Sequence, residues 1–595
     1  MHRGVCPPPC AFNIKLLQFS WLHEKKYLIY RIVNQFVSAL IPIVAFIMPR
    51  YIINELMGRQ RVAHICLYIG ILVGYTFGAS AISSWLGWTG FTHRIKIAQA
   101  FTVFMHNKTV NADYADIESS RYLEMKEKAE KFLFGNWKGF SYVLDMAIEI
   151  IGKTFTLIGV VAVIAALNPY MVLLFIALVL ASGYVELRVQ RKQADMRLEL
   201  ITIERKTMYY SQVLEDFSYG KEIRINALGQ WLMRREREHW NYGYNTYVKS
   251  NALGMKSGVF GAFTNLVQQA VSYGYLVMQA LMGSITIGDF SMYVGGIAAF
   301  SGAMRGVIQN IIEVSEYRKY YDAIEEYLNI PAKMRDNKRL PVPNGRHKIE
   351  FCGVSFTYPG QAEYALRNIN IVIHLGQKLS IVGENGAGKT TFVKLLCRIY
   401  NPTEGKILLD GVDIRDIEYD AYMALFSTVF QDYKLYALSL KDNIALSKSD
   451  ATSDDAVEDV LRKAGFGEKL DSLDKGIHTL VYRNFDDEGF EPSGGEGQKI
   501  ALSRALFKNA PIIVLDEPTA ALDPRAEYEI YQHFSALVAG KTAVYISHRL
   551  SGTRFCDVIA VFCNGKIVEY GSHDELIAAN GQYAELFAMQ AQFYV

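Results

Sequence analysis

The sequence lacks several features that would place it in a common class of protein. Its seven cysteines are scattered without metal-ligand spacing, and only Cys6 and Cys10 are close enough to suggest a pair or a ligand set. This usage fits a reducing cytosolic environment. The first 26 residues do not resemble a cleavable signal peptide. The formal net charge of +2 says little by itself, because the charge is unevenly distributed along the chain.

Long apolar runs, in contrast, are plentiful in the first half. The chain has 595 residues, of which 51% are hydrophobic, so it is too long for one core and rich in apolar residues for a soluble protein. Six runs before residue 320 are long enough to span a bilayer. They cover 27–55, 62–90, 140–167, 169–190, 251–282 and 285–315.

Basic residues indicate which connections face the cytosol. The connection 91–139 carries eight Lys and Arg residues and 186–250 carries twelve, whereas the tight turns after the third and fifth spans carry none. Positive residues are retained on the cytosolic side, so both long connections and both chain termini are predicted to be cytosolic. Arg50, Arg59 and Arg61 in the first external loop oppose this trend but are outnumbered.

The two long connections are predicted to be amphipathic helices that extend the spans. Their turning points lie near 114–122 and 216–224. A membrane domain driven by a cytosolic motor needs protruding contacts of this kind, although each segment could equally be a solvated helix bend.

Ionisable and amide side chains inside the spans are candidates for substrate contact, because they are costly in a bilayer. Glu149 and Lys153 are four residues apart and could neutralise each other on one helix face. Arg305, Gln268 and Gln269 add further polarity. If the helices extend beyond the lipid, these positions lie instead near the cytosolic surface.

A glycine-rich loop dominates the second half. Residues 383–391 read GENGAGKTT, between the apolar run LSIV and a predicted helix. Glycines let backbone N–H groups turn onto phosphates, and the helix directs its positive end at the same anion. Lys389 is expected to reach the β- and γ-phosphates and Thr390 to ligate Mg²⁺. The predicted nucleotide-binding residues of this loop are Gly383, Glu384, Asn385, Gly386, Ala387, Gly388, Lys389, Thr390 and Thr391.

Other motifs surround this loop in a consistent order. Tyr358 precedes it and could stack on adenine, and Gln431 could supply an amide to Mg²⁺ or to the attacking water. The apolar run IIVL ends in Asp516, predicted to hold hydrated Mg²⁺, and Glu517, predicted to be the general base. His548 follows another apolar run and could contact the γ-phosphate.

A second anion-binding motif lies at 493–496, immediately before a predicted helix. Its hydroxyl and backbone N–H groups suit a phosphate at a helix start. Two phosphate-binding motifs in one chain suggest a nucleotide site that is completed by a second copy of the chain. The residues are Ser493, Gly494, Gly495 and Glu496.

These motifs together resemble an ATP-binding cassette exporter half-transporter, over nearly the whole chain. The resemblance implies an all-α six-helix transmembrane domain at 27–317, after an N-terminal segment at 1–26. A linker at 318–347 and an α/β P-loop nucleotide-binding domain at 348–590 follow. It assigns 383–391 as the Walker A loop, 493–496 as the signature and Asp523 as part of the D-loop. Tyr358, Gln431, Asp516 with Glu517, and His548 match the adenine-stacking, Q-loop, Walker B and switch positions.

The chain departs from the family pattern at the signature. The usual Leu-Ser-Gly-Gly-Gln is replaced by Pro492 followed by Ser-Gly-Gly-Glu, so that Glu496 brings an acid near the nucleotide of the opposite copy. That acid is expected to weaken closure on ATP or to require a particular partner. The preceding residues, 487–489, resemble an exporter-specific loop that touches the membrane domain.

The resemblance implies an ATP hydrolase that exports an amphipathic small molecule, a lipid or a peptide across the cell membrane by alternating access. ATP and Mg²⁺ are the expected cofactors. Membrane lipid and a second half-transporter, identical or different, are the expected partners, and no nucleic acid is expected. An ATP-gated channel or regulatory membrane protein on the same scaffold is the alternative. A soluble cassette acting on nucleic acid is excluded by the six spans. The short segment before the first span has no room for the peptidase domain of some peptide exporters.

Overall fold

The chain forms two compact units in its computed structural model, which describes residues 9–134, 139–335, 340–343, 347–517, 540–547 and 550–591. The first unit, called here the membrane unit, runs to Val110 and resumes over Ser120–Ile330. The second, the cassette unit, combines Asn111–Ser119 with the chain from Pro331 onward.

The membrane unit consists of long helices. In chain order, with one short helix of the cassette unit (α3) included, the helices are α1 (Pro9–Met57), α2 (Val62–Val110), α3 (Tyr114–Ile117), α4 (Ser120–Phe134), α5 (Phe140–Leu167), α6 (Pro169–Glu215), α7 (Gly220–Ile225), α8 (Gly229–Leu281) and α9 (Ile287–Asn329). The six predicted spans lie on α1, α2, α5, α6, α8 and α9, and the helices continue into the polar connections as expected.

Four of these helices are long and apolar enough to cross a membrane by length and composition within the described residues. They are Leu17–Met57, Val62–Val110, Ser141–Leu167 and Pro169–Arg197. The fifth and sixth predicted spans lie on α8 and α9, whose apolar stretches are interrupted by polar side chains such as Gln268 and Ser301. These two side chains bond to each other, with Gln268 Nε2 donating to Ser301 Oγ at 2.6 Å.

Local capping explains where the helices of the tight turns begin. Asn168 accepts a hydrogen bond from the backbone N–H of Tyr170, and Pro169 occupies the first position of α6. Thr286 and Asp289 form a reciprocal capping box at the start of α9. Such caps satisfy N–H groups that a helix start leaves without intrahelical partners.

Ion pairs connect helices within the membrane unit. Asp145 of α5 accepts from Tyr27 at 2.5 Å and Arg31 at 2.6 Å, both on α1, and from Arg94 of α2 at 3.3 Å. The predicted neutralisation on α5 is also present, since Lys153 Nζ lies 2.9 Å from Glu149 Oε1. These contacts satisfy charges that would otherwise be buried without partners.

The cassette unit is built on two sheets. Its strands are β1 (Ile349–Phe356), β2 (Leu366–Ile373), β3 (Lys378–Gly383), β4 (Glu404–Leu409), β5 (Val412–Asp413), β6 (Phe426–Val429), β7 (Ile512–Asp516), β8 (Thr542–Ile546), β9 (Val558–Cys563) and β10 (Lys566–Gly571). The strand orders are β2-β1-β4-β5 and β10-β9-β3-β8-β7-β6. The described helices are α10 (Lys389–Leu396), α11 (Tyr419–Ala424), α12 (Leu440–Ala445), α13 (Asp454–Lys463), α14 (Gly467–Asp471), α15 (Gly494–Lys508), α16 (His573–Ala578) and α17 (Gln582–Ala591).

Parallel pairing in the larger sheet places the functional loops at one edge. β3 pairs in parallel with β8 and β9, and β7 pairs in parallel with β8 and β6. The carboxyl ends of these strands therefore lie at the same edge, where open α/β sheets bind their ligands. Buried β-branched and aliphatic side chains fill strands such as β7 and β8 on both faces.

Two boundaries differ from those read from sequence. The linker was expected from residue 318, but α9 remains helical to Asn329 and ends just before Pro331, which cannot continue the backbone ladder. The segment 111–119 was expected in the membrane domain, but it belongs to the cassette unit. No local sequence pattern indicates this assignment, because it depends on contacts with residues more than 200 positions away.

Specific contacts hold 111–119 within the cassette unit. The Asp113 carboxylate accepts the backbone N–H groups of Lys333 and Met334 at 2.8 and 3.1 Å. The Tyr114 ring packs edge-on against Tyr400 with centroids 5.7 Å apart, and the Tyr400 hydroxyl donates to the Glu118 carboxylate. Burial and the Glu118 charge raise the pKa of Tyr400.

Candidate functional site

Three strand ends bring the predicted phosphate and metal residues to one edge of the sheet. β3 leads into the loop that begins α10 at Lys389, β7 ends at Asp516 and precedes Glu517, and β6 precedes Gln431. A direct contact joins two of these ends, because Gln431 Nε2 donates to Glu517 Oε2 at 2.8 Å. The order of strands thus explains why residues 86 positions apart meet.

Glycine is required at two positions of the phosphate loop. Gly383 has φ +146°, and a Cβ there would lie 2.2 Å from the Phe562 carbonyl oxygen. Gly388 has φ +102°, and a Cβ there would meet Leu366 Cδ2 at 2.6 Å. Because any larger residue would clash, the loop keeps a backbone path that leaves its N–H groups available to an anion.

Lys389, which is predicted to bind phosphate, lies across the phosphate loop. Its Nζ donates to the carbonyl oxygens of Gly383 and Glu384, both at 2.8 Å, so the ammonium is held across the loop. The residue is 6% exposed, and burial lowers the pKa of its amine. A desolvated cation at a helix start attracts a polyanion strongly.

Asp516 is a buried acid whose oxygens lack hydrogen-bond partners. It is 1% exposed, and neither carboxylate oxygen is hydrogen-bonded within the described part of the chain. Burial and then the neighbouring Glu517 charge raise the pKa of Asp516 to about 6, while nearby Thr390 and Lys389 oppose the shift. Orphaned oxygens of this kind are costly unless a cation or donor reaches them, and carboxylate and hydroxyl oxygens are the ligands that Mg²⁺ prefers.

Glu517 has a constrained backbone. Its φ of +52° is in the left-handed region, which is uncommon for a residue with a side chain. The Glu517 N–H donates to the Ile546 carbonyl at 3.0 Å, and its own carbonyl accepts from Gln498 Nε2 at 3.1 Å. These contacts from β8 and α15 hold the Glu517 backbone, while its carboxylate accepts from Gln431.

Tyr358, which is predicted to stack on adenine, lies beside the phosphate loop. Its hydroxyl is 3.0 Å from Thr391 Oγ1. Its ring packs edge-on against Phe356 and Tyr400, and Lys394 Nζ lies 5.6 Å from the ring centroid. The ring is partly exposed and rigidly held, which suits a stacking surface.

The second motif forms the start of α15. Ser493 is the N-cap, and its hydroxyl accepts from the Glu496 N–H at 3.3 Å. Glu496 Oε2 in turn accepts the Ser493 N–H at 2.8 Å, which completes a capping box. Glutamine could make the same cap, so the structure explains how Glu496 replaces the family's usual residue without disturbing the helix. Ser493 and Gly494 are exposed.

Two predicted site residues lie outside the described residues. They are Asp523 and His548. Sequence reasoning also missed residues that the structure places at the site, because their partners are distant in the chain. Gln498 contacts Glu517 across 19 positions, and Lys469 of α14 lies near Glu496, with Nζ 3.7 Å from Oε1. Neither residue belongs to a motif with a fixed spacing.

Comparison with known proteins agrees with this geometry. The sequence profile of the ABC transporter family matches residues 366–520. The chain is 31% identical over 455 residues to the ATP-dependent lipid A-core flippase of Methylococcus capsulatus, covering 74% of this chain and 72% of the flippase. Among solved structures, a bacterial Atm1-family ABC exporter with ATP bound superposes with a TM-score of 0.80 at 21% identity, covering 95% of this chain and 98% of the exporter.

Two other relatives match over almost the full length of the chain. The subtilin transport ATP-binding protein SpaT of Bacillus subtilis is 28% identical, with coverage of 92% of this chain and 89% of that protein. The nisin transport ATP-binding protein NisT of Lactococcus lactis subsp. lactis is 27% identical, with coverage of 95% and 94%. Both alignments include the helical unit as well as the cassette unit.

Proposed function

Because this chain belongs to the ABC transporter family, we propose that it acts as a pair of half-transporters whose two cassettes close on ATP. The chain is an ATP hydrolase coupled to export, with a helical membrane unit fused to a nucleotide-binding unit. The proposal concerns how the site is completed, which ion it uses and what is exported.

The exposed start of α15 carries the proposal of a composite site. Ser493 and Gly494 are exposed residues at a helix N-terminus, where an anion is stabilised. The buried Lys389 and Asp516 form the other half. A second copy would bring its own 493–496 across the ATP held by Lys389, Thr390 and Tyr358.

In this mechanism Glu517 is the general base. Its carboxylate takes a proton from the water that attacks the γ-phosphate. Gln431 donates a hydrogen bond to this carboxylate and thereby orients it toward the water. The bond between the γ-phosphorus and the bridging oxygen breaks, leaving ADP and phosphate. ATP favours the closed pair because it contacts both copies only in that state, and its hydrolysis removes this preference.

The residues around Asp516 fit a bound Mg²⁺. Its two orphaned carboxylate oxygens, the Thr390 hydroxyl and the Gln431 amide oxygen are suitable ligands. Such an ion supplies neutralisation of the negative charge that develops on the phosphates. The remaining tasks belong to side chains of the protein. Glu517 and Gln431 orient the attacking water, and Lys389 and Tyr358 contact the nucleotide.

We further propose that the pair is a homodimer in the cell membrane, with the cassette and both termini in the cytosol. The Walker and signature elements of a hydrolytic site are all present in this one sequence, so no second sequence is required to complete it. The distribution of basic residues between long and tight connections supports the orientation.

For the cargo, we propose an amphipathic peptide. SpaT and NisT, which are named for transport of the peptides subtilin and nisin, match 92% and 95% of this chain, whereas the flippase of Methylococcus capsulatus matches 74%. The membrane unit also carries paired charges, such as Glu149 with Lys153, that a charged and apolar ligand could engage.

Transport by the purified chain tests the whole proposal. Proteoliposomes with outward-facing cassettes should accumulate a fluorescent amphipathic peptide when Mg²⁺ and ATP are added, and Glu517→Gln proteoliposomes should not. Lipid flipping without peptide uptake would overturn the cargo. Activity that requires a different half-transporter would overturn the homodimer.

A further inference from the structure

The signature region of this chain contains an acid that phosphates should disfavour. Glu496 is the third residue of α15, at the helix end that is proposed to cover ATP bound to a second copy. A carboxylate beside incoming phosphate oxygens repels them. Glutamine would make the same capping box without the charge, so the cap alone does not explain the acid.

A cation from a neighbouring helix faces this acid. Lys469 of α14 places its Nζ 3.7 Å from Glu496 Oε1, while Glu496 Oε2 is engaged with the Ser493 N–H. The ammonium is also held from a second side, because it lies 4.9 Å from the centroid of the Phe490 ring. Partial burial opposes ionisation of Glu496, but the bonds to Ser493 and the charge of Lys469 outweigh it and hold the pKa of Glu496 below its usual value.

The exposure of the pair argues against a role in folding stability. The side chains of Lys469 and Glu496 are 39% and 27% exposed, and ion pairs of that kind contribute little to folding. The same exposure leaves the pair's net charge effective toward an approaching anion. The ammonium and the carboxylate together have no net charge. The glutamine of the usual signature also has none.

We propose that Lys469 is a positioning residue of the signature, which cancels the charge of Glu496 so that the helix start accepts the phosphates of ATP bound to the second copy. This inference rests on the proposed function. It assigns a role to a residue outside every motif of the cassette. It also defines Glu496 and Lys469 as a unit that must change together.

A charge cycle in the full-length protein tests the proposal. The variants are Lys469→Met, which keeps the aliphatic stem against Phe490, Glu496→Gln, which keeps the capping box, and the double variant. The readout is the ATP concentration that gives half-maximal ATPase activity (KM). A unit charge about 6 Å from the phosphates, at an effective dielectric constant of about 40, changes affinity about tenfold.

The expected order of KM follows the net charge near the signature. Lys469→Met should raise KM about tenfold, Glu496→Gln should lower it about threefold because the ammonium is then uncompensated, and the double variant should return toward the wild type. Lys463→Met on α13 is the matched control, since Lys463 pairs with Asp459 at 2.5 Å in an exposed i,i+4 arrangement. Its KM should equal that of the wild type.

Two results would overturn the inference. If the double variant is as impaired as Lys469→Met, the lysine contacts ATP directly or supports the fold. If Lys469→Met leaves KM unchanged, the pair has no role at the site. Closure of the pair on ATP in the Glu517→Gln background is measured in parallel. Failure to trap ATP there refutes the proposed function, whereas trapping with a failed charge cycle refutes only the role of Lys469.

Discussion

The two phosphate-binding regions of the cassette unit satisfy their polar groups in opposite ways. Around the phosphate loop, Lys389 is buried and Asp516 has two oxygens without hydrogen-bond partners within the described residues. At the signature, Ser493 and Glu496 satisfy each other in a capping box that faces solvent. The first region is incomplete without a ligand, and the second is complete by itself.

This difference indicates that one region mainly binds ATP and the other mainly acts in closure of the pair. A buried and unsatisfied site gains much from a nucleotide and its cation, so most of the binding free energy should arise at the phosphate loop. A self-satisfied and exposed surface gains little from ATP alone, so it should act mainly when a second copy brings it into place. Variants in the two regions should therefore separate binding from closure.

The largest effect is expected for Glu517→Gln. Loss of the general base should lower the ATPase rate about a thousandfold, because positioned bases contribute about 10²–10⁴. The amide can still bond to Gln431, so nucleotide binding should persist and ATP should become trapped in the closed pair. Phosphate release and retained radiolabelled ATP measure the two outcomes. Unchanged ATPase activity would exclude Glu517 as the base.

Lys389→Met should weaken ATP binding itself by about a hundredfold, since charge-assisted hydrogen bonds to phosphate oxygens are lost. Equilibrium binding of a fluorescent ATP analogue measures this affinity without requiring hydrolysis. Lys406→Met, at an exposed position of β4, provides the control and should bind normally. Equal affinity in both variants would contradict the assignment of binding to the phosphate loop.

Ser493→Asp should separate the two regions. Aspartate is a good N-cap, so α15 should remain intact, but the added negative charge faces the phosphates of the opposite copy. We expect the KM for ATP to rise about tenfold, because the charge opposes closure on ATP, with the affinity of the separate copy for the ATP analogue unaltered. Thermal unfolding of the variant checks the helix. A parallel loss of binding would mean that the signature contributes to affinity in the separate copy.

The smallest effect is expected at the adenine. Tyr358→Leu should raise the KM for ATP about fivefold, because an aromatic contact contributes roughly 0.5–1.5 kcal/mol beyond its burial. Tyr358→Phe keeps the ring and removes only the hydroxyl near Thr391, so its KM should lie closer to the wild type. If Tyr358→Phe raises the KM for ATP as much as Tyr358→Leu does, the hydroxyl rather than the ring is the important group.

The contrast between regions also shows what could be read from the sequence. The phosphate loop and Asp516 with Glu517 were predicted because their chemistry depends on spacing within one strand–loop–helix segment. Glu149 and Lys153 were predicted to pair because a helix places neighbours four residues apart on one face. The fold class followed from the apolar runs and these motifs.

Contacts between distant segments were not predictable in this way. Lys469 meets Glu496, and Asp145 meets Arg31 and Arg94, only after several helices have packed. No local period encodes such partners. The expectation that Glu496 weakens closure stays a prediction, and it now involves a second residue, because the carboxylate is capped by Ser493 and paired with Lys469. Glu496 alone is therefore not the residue to test.

The assignment of 111–119 to the cassette unit has a practical consequence for dissecting the protein. A recombinant fragment starting at Pro331 would omit nine residues that belong to the same compact unit. It would strip the Asp113 carboxylate from two backbone N–H groups and expose the Tyr400 face that α3 covers. A soluble cassette reagent should therefore be expressed with this peptide joined to it by a flexible linker. In this protein, the compact unit that contains the cassette is not a continuous stretch of sequence.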